Sequence, residues 1–134
     1  MTRNREYEDW ARRAAGWWKK QGARPEAALQ FARLFIYSWA EGLDPKVTSI
    51  FRDPGKQKAM QQAWDRGERA GLLARPANPE TSKHCLTGWF STPKAEAMDM
   101  PTKNDRRTAE IARSIGLKPG ADFRTPDHGH YQWV

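Results

Sequence analysis

The chain is poor in the residues that most often announce a site. Cysteine occurs once, as Cys85, in 134 residues. A single thiol closes no intramolecular disulfide, and structural zinc sites built from two to four thiolates are excluded. Long apolar runs are missing as well: none nears the about 18 residues that a membrane-crossing helix requires. No apolar stretch follows Met1-Thr2-Arg3-Asn4-Arg5-Glu6. A Sec-type signal is therefore not read, and synthesis in the cytoplasm is expected. The length suits one domain over residues 1–134, with a single modest core.

Basic residues and tryptophan are plentiful. The formal net charge is +7, which draws the surface toward polyanions such as nucleic acid or an anionic cell envelope. Seven tryptophans are present. Trp10, Trp17, Trp18 and Trp39 fall in the first forty residues, where they suit helix–helix packing or a surface that stacks on sugar rings or bases.

Tyr7, Trp10, Ala14, Trp17 and Trp18 recur at helical spacing, so residues 5–21 are expected to be a helix ending at Gly22. Pro25 opens a second helix over 25–41, which Gly42 closes. These two make a helical hairpin, residues 1–43, ahead of a core over 44–134. The hairpin is expected to be dispensable for the candidate site described below. Val47-Thr48-Ser49-Ile50-Phe51 reads as a strand and Asp53-Pro54-Gly55 as a turn. A helix over 55–70, a loop over 74–81, a helix over 103–115 and short strands near 121–124 and 129–133 complete the chain. Residues 82–100 carry strand-compatible stretches around Thr87–Pro93. The layout is α+β: a small antiparallel sheet with flanking helices behind an N-terminal helical hairpin.

All three histidines, His84, His128 and His130, stand near carboxylates, Asp99 and Asp127. Two imidazoles, one carboxylate and an open fourth position make a catalytic zinc site, and a second carboxylate can act as base for a water there. Alternation along a strand would put His128 and His130 on one face. The residues alone leave open which histidine binds and which carboxylate is the base.

Three blocks add to this. Ser82-Lys83-His84, Thr87-Gly88 and Ala95-Glu96-Ala97-Met98-Asp99 together resemble Ser-x-His-x-x-Gly-x-Ala-x-Asp. Upstream, Thr48-Ser49-Ile50-Phe51-Arg52 with Gln57 is similar to a strand-and-turn Thr-Ser-Gly-Tyr-Arg followed by a helical Gln. Downstream, Asp127-His128-Gly129-His130 resembles a closing carboxylate-x-x-His. Such blocks, in this order, are found in the zinc D,D-carboxypeptidase and L-alanyl-D-glutamate peptidase family, which includes phage endolysins.

That resemblance implies a Zn²⁺ cofactor held by His84, Asp99 and His130, with Asp127 as general base. It gives Arg52 the task of holding a substrate carbonyl or carboxylate. Ser49, Gln57 and Ser82 match positions that orient substrate or ligands. His128 and Trp89 are further candidate substrate contacts. The implied function is zinc-dependent hydrolysis of a peptide bond in the peptidoglycan stem peptide by a phage or prophage endolysin. Such a protein would be a monomer acting on the cell wall after release, without a nucleic-acid partner.

Two departures stand out. Asp99 follows His84 by fifteen positions where the motif has seven, so about eight residues, roughly Trp89 to Glu96, are inserted. Ile50 replaces a common glycine. The insertion favours an alternative, a catalytically silent relative that binds wall fragments or a protein partner. A basic nucleic-acid-binding domain is a third reading, carried by charge and aromatics alone.

Overall fold

A computed structural model describes residues 2–68, 75–88 and 92–134. Among these, four α-helices and a three-stranded antiparallel sheet form an α+β fold. Helix α1, Thr2–Lys20, packs along α2, Pro25–Ala40. The turn between them needs glycine. Gly22 has φ +94°, and a Cβ there would stand 2.5 Å from the Phe51 Cβ. Helix α3, Pro54–Asp65, starts at Asp53, whose carboxylate accepts the Gly55 N–H. It ends before the expected residue 70: Arg66 caps it, and positions 69 and 70 lie outside the described residues. Helix α4, Asp105–Ser114, is capped by Asn104, which accepts the Arg107 N–H.

The sheet is short, in the order β1 (Ala97–Asp99), β3 (His130–Gln132), β2 (Lys118–Pro119). Met98 pairs with Tyr131, and Asp99 pairs with His130. Because side chains alternate along a strand, these two pairs face opposite sides. Met98 and Tyr131 are buried against the helices, and the Trp18 indole N–H of α1 donates to Met98 Sδ at 3.1 Å. Asp99 and His130 are left for the other face.

One continuous core joins Ala11, Trp18, Phe31 and Leu34 of the hairpin to Met98, Ile111 and Tyr131. The Arg24 N–H also donates to the Ala95 carbonyl, and the Ala95 N–H to the Gly22 carbonyl. The hairpin is thus built into the core that supports β1 and β3. Removing it would take Ala11, Trp18, Phe31 and Leu34 out of that core.

The strand readings fared less well than the helices. Residues 47–51 contribute only a single antiparallel bridge, Ser49 to Asp99. The segment near 121–124 is a 3-10 turn, Gly120–Asp122, with the strand just before it at Lys118–Pro119. His84 lies in a turn, and among the described residues of 82–100 strand structure is confined to Ala97–Asp99 and isolated bridges.

Candidate metal centre

Three segments converge on the open face of the sheet. Ser49 and Asp99 exchange backbone hydrogen bonds, 2.8 Å from the Asp99 N–H and 3.5 Å from the Ser49 N–H, which lays the 47–52 segment beside β1. The Arg52 N–H donates to the His84 carbonyl at 2.8 Å, tying the third segment in. Within that turn the buried Ser82 hydroxyl accepts the His84 N–H at 3.3 Å.

The side chains of His84, Asp99 and His130 meet there, with one potential ligand atom from each lying within 4.8 Å of the other two. His84 Nε2 is 3.3 Å and His130 Nδ1 is 3.2 Å from the same oxygen, Asp99 Oδ1. Two donors each about 2.0–2.1 Å from a tetrahedral zinc stand about 3.3–3.4 Å apart, so the spacing suits a small cation between them.

Proton bookkeeping points the same way. The other nitrogen of His84, Nδ1, lies 2.7 Å from the Ile50 carbonyl. A carbonyl only accepts, so Nδ1 carries a proton and Nε2 is the nitrogen turned toward Asp99. His84 Nε2 is buried and makes no hydrogen bond, since its approach to Asp99 is close but poorly aligned. His130 Nε2 lies 3.0 Å from Gln132 Oε1; with that oxygen as acceptor, Nδ1 is the nitrogen facing Asp99. With both facing nitrogens unprotonated, as metal binding requires, two lone pairs and a carboxylate oxygen at one point repel one another unless a cation lies among them. This buried His–Asp–His group could hold a metal ion.

The charge of Asp99 is stabilised by the two rings themselves. Burial alone would raise the Asp99 pKa, but the hydrogen bond from His130 and the ring of His84 hold it well below the usual carboxylate range. For His130, burial opposes the charge, yet the bond to Asp99 prevails and its pKa is raised.

Around the triad lies a cleft of about 460 Å³ whose walls include Arg52, Asp127, Met60, Arg75 and Thr125. Arg52 is clamped: Nη1 donates to Gln57 Oε1 at 2.8 Å, and Nη2 donates to Ser49 Oγ at 3.1 Å and Asp99 Oδ2 at 3.2 Å. Gln57 is fully buried and its amide also donates to the Ala77 carbonyl, so it positions Arg52 from below. Asp127 stays largely exposed, with Oδ2 3.9 Å from His130 Nδ1. Partial desolvation, with Asp99 nearby, raises its pKa despite the histidines. Its position depends on Gly120, whose carbonyl accepts the Asp127 N–H at 2.9 Å.

The remaining candidates are placed as follows. His128 is exposed on the turn before β3, outside the triad. Gly129, with φ +86°, carries the chain from there into His130. Trp89 lies outside the described residues. Cys85 is buried, and burial pushes its thiol pKa up, as befits an inert packing residue. Trp133 is half-buried against the core with the Arg24 guanidinium 4.7 Å from its ring centroid.

Two partners escaped the sequence reading. Gln132 sits two residues beyond His130 on the same strand face, so strand alternation could have found it. The Ile50 carbonyl is backbone, and no residue type announces it.

No protein-family model matches the chain, and no curated protein matches it in sequence.

Proposed function

We propose that this protein is a zinc-dependent peptidase that hydrolyses a bond in the stem peptide of bacterial peptidoglycan. The observation that carries the reading is the convergence of His84 Nε2 and His130 Nδ1 on Asp99 Oδ1 at 3.3 and 3.2 Å beside Asp127 and Arg52. The donor set, two imidazoles and a carboxylate, suits zinc. The insertion between His84 and Asp99 leaves that convergence intact, which weighs toward the enzyme and against the silent relative. The peptidoglycan substrate rests on the three sequence blocks.

Zinc, when bound, lowers the pKa of a coordinated water to about 7 and polarises a carbonyl. The protein's own groups do the rest. Asp127, at the cleft wall with a raised pKa, accepts a proton from the attacking water and passes it to the leaving amine. Arg52, gripped by Gln57 and Ser49, presents fixed positive charge to a substrate carbonyl or carboxylate oxygen. The Ile50 carbonyl and Gln132 fix the two rings so that the required nitrogens face inward.

The test is digestion of purified peptidoglycan by the zinc-loaded protein, with mass spectrometry of the fragments. Hydrolysed stem peptides that vanish with a chelator and with Asp127→Ala support the reading. A protein with stoichiometric zinc that releases none contradicts it.

A further inference from the structure

The helical hairpin carries a surface feature that the candidate site does not use. On α1, Trp10, Arg13, Trp17 and Lys20 follow one another at spacings of three, four and three, so they form one stripe along the helix. Trp10 is 40% and Trp17 47% exposed, whereas the neighbouring Trp18 is buried in the core. On α2, Trp39 is 54% exposed and packs edge-on against Trp10, with ring centroids 6.0 Å apart. Trp10 and Trp39, with Phe35 and Ile36 as floor, line a shallow cleft of about 320 Å³. Among the described residues no other side chain lines it.

The charge beside this apolar surface is mostly positive. Lys19 and Lys20 make no ion pair among the described residues. Arg12 and Arg13 both pair with Asp9, at 3.7 Å each and largely exposed to solvent, which neutralises them weakly. Glu6 lies in line with the stripe at its amino-terminal end, and Asp9 lies beside Arg13.

Exposed indoles alternating with cations over an apolar floor match the bilayer interface, where indole rings sit at headgroup depth and Lys and Arg meet anionic phosphates. A nucleic-acid reader would need polar groups for base edges or open ring faces for stacking. Here the floor is wholly apolar, and Trp10 and Trp17 are engaged edge-to-face with Trp39 and Trp18. No helix among the described residues is long and apolar enough to cross a membrane, so the attachment is peripheral. We propose that the α1–α2 hairpin docks the protein on an anionic phospholipid bilayer, with Trp10, Trp17 and Trp39 at the interface and Arg13 and Lys20 on headgroup phosphates. Trp17 also borders a groove that reaches Ser49 and Arg52, so the docking face adjoins the candidate centre.

Vesicle co-sedimentation tests this with the full-length zinc-loaded protein. Phosphatidylglycerol-containing vesicles are expected to bind it and blue-shift its tryptophan fluorescence, and pure phosphatidylcholine is expected to bind at least tenfold more weakly. The double variants Trp10→Ser/Trp39→Ser and Arg13→Glu/Lys20→Glu are each expected to lose at least tenfold in binding while keeping far-UV circular dichroism and zinc content. His84→Ala is expected to bind vesicles normally, which separates this inference from the metal reading. No binding to anionic vesicles overturns it. So does binding unchanged in Trp10→Ser/Trp39→Ser, the mark of general polyanion adsorption that DNA or teichoic acid would share.

Discussion

Gly120→Ala is the substitution whose consequence follows most directly from the geometry. Gly120 does not have a positive φ, so alanine suffers no intrinsic backbone strain. The obstacle is contact. A Cβ at this position would run into the Asp127 carbonyl oxygen and stand 3.1 Å from its carbon and 3.0 Å from the His130 Cβ. Two of these atoms are backbone and cannot swing aside. Relief needs a displacement on the order of 1 Å of one segment past the other, since non-bonded carbon and oxygen settle above 3 Å. Overpacking of this kind typically costs about 1–3 kcal/mol. The effect on metal binding is expected to be sharper. Ligand positions tolerate about 0.2 Å, and the displaced segment carries both His130 and Asp127. Zinc affinity should fall more than tenfold. Gly16→Ala is the control: it lies inside α1 with nothing within 4 Å of an added Cβ. There alanine should stabilise by about 0.5–1 kcal/mol and leave zinc binding alone. Urea unfolding and zinc titration read both variants. If Gly120→Ala matches the parent in stability and zinc affinity, the packing of the 127–130 turn on Gly120 is wrong.

Other expectations are open to direct measurement. Asp127→Ala should retain zinc by atomic absorption yet lose on the order of 10²–10⁴-fold in peptidoglycan hydrolysis; near-normal turnover would remove Asp127 as the base. Gln57→Leu should leave the Ala77 carbonyl and the Arg52 guanidinium short of a partner, costing about 1–3 kcal/mol in denaturant unfolding. Its catalytic rate should fall with zinc content preserved, whereas unchanged hydrolysis would show that Arg52 needs no such support. The metal-free protein should respond to pH through His130 and Asp99. The raised His130 pKa adds stability that is complete below about 6.5, its unfolded value, and fades as pH rises through the folded value. The lowered Asp99 pKa adds stability above about 3.9 that is lost as pH falls toward the folded value. Melting temperature in chelator should therefore drop on the alkaline side, while zinc affinity rises over the same range because the metal no longer competes with the His130 proton. A melting temperature flat between pH 6 and 9 would argue against the His130–Asp99 coupling.

The helices were readable because their signals are long and redundant. Trp10, Ala14 and Trp17–Trp18 give α1 its stripe over nineteen residues, and Pro25 and Gly42 bracket α2. The strands were not, since β1, β2 and β3 span only two or three residues each, too few for a period of two to stand out. Their pairing is set by tertiary contacts, with Met98 and Tyr131 drawn into the helical core, and this is what turns Asp99 and His130 outward. For the candidate centre, spacing alone left His128 and His130 interchangeable. The structure brings His130 to Asp99 and leaves His128 exposed, because Gly129 takes up the turn between them. Arg52 was visible as a residue, but its clamp by Gln57, Ser49 and Asp99 depends on three segments far apart in sequence. The docking stripe on α1 was readable in its spacing and ambiguous in its meaning until exposure separated Trp10 and Trp17 from Trp18.

The central claim is the metal. Protein stripped with chelator, then dialysed against buffered zinc and assayed for bound metal, should retain one zinc per chain, and His84→Ala and Asp99→Ala should each retain none. A parent chain that takes up no zinc, or that binds it equally well without His84 and Asp99, would contradict the account.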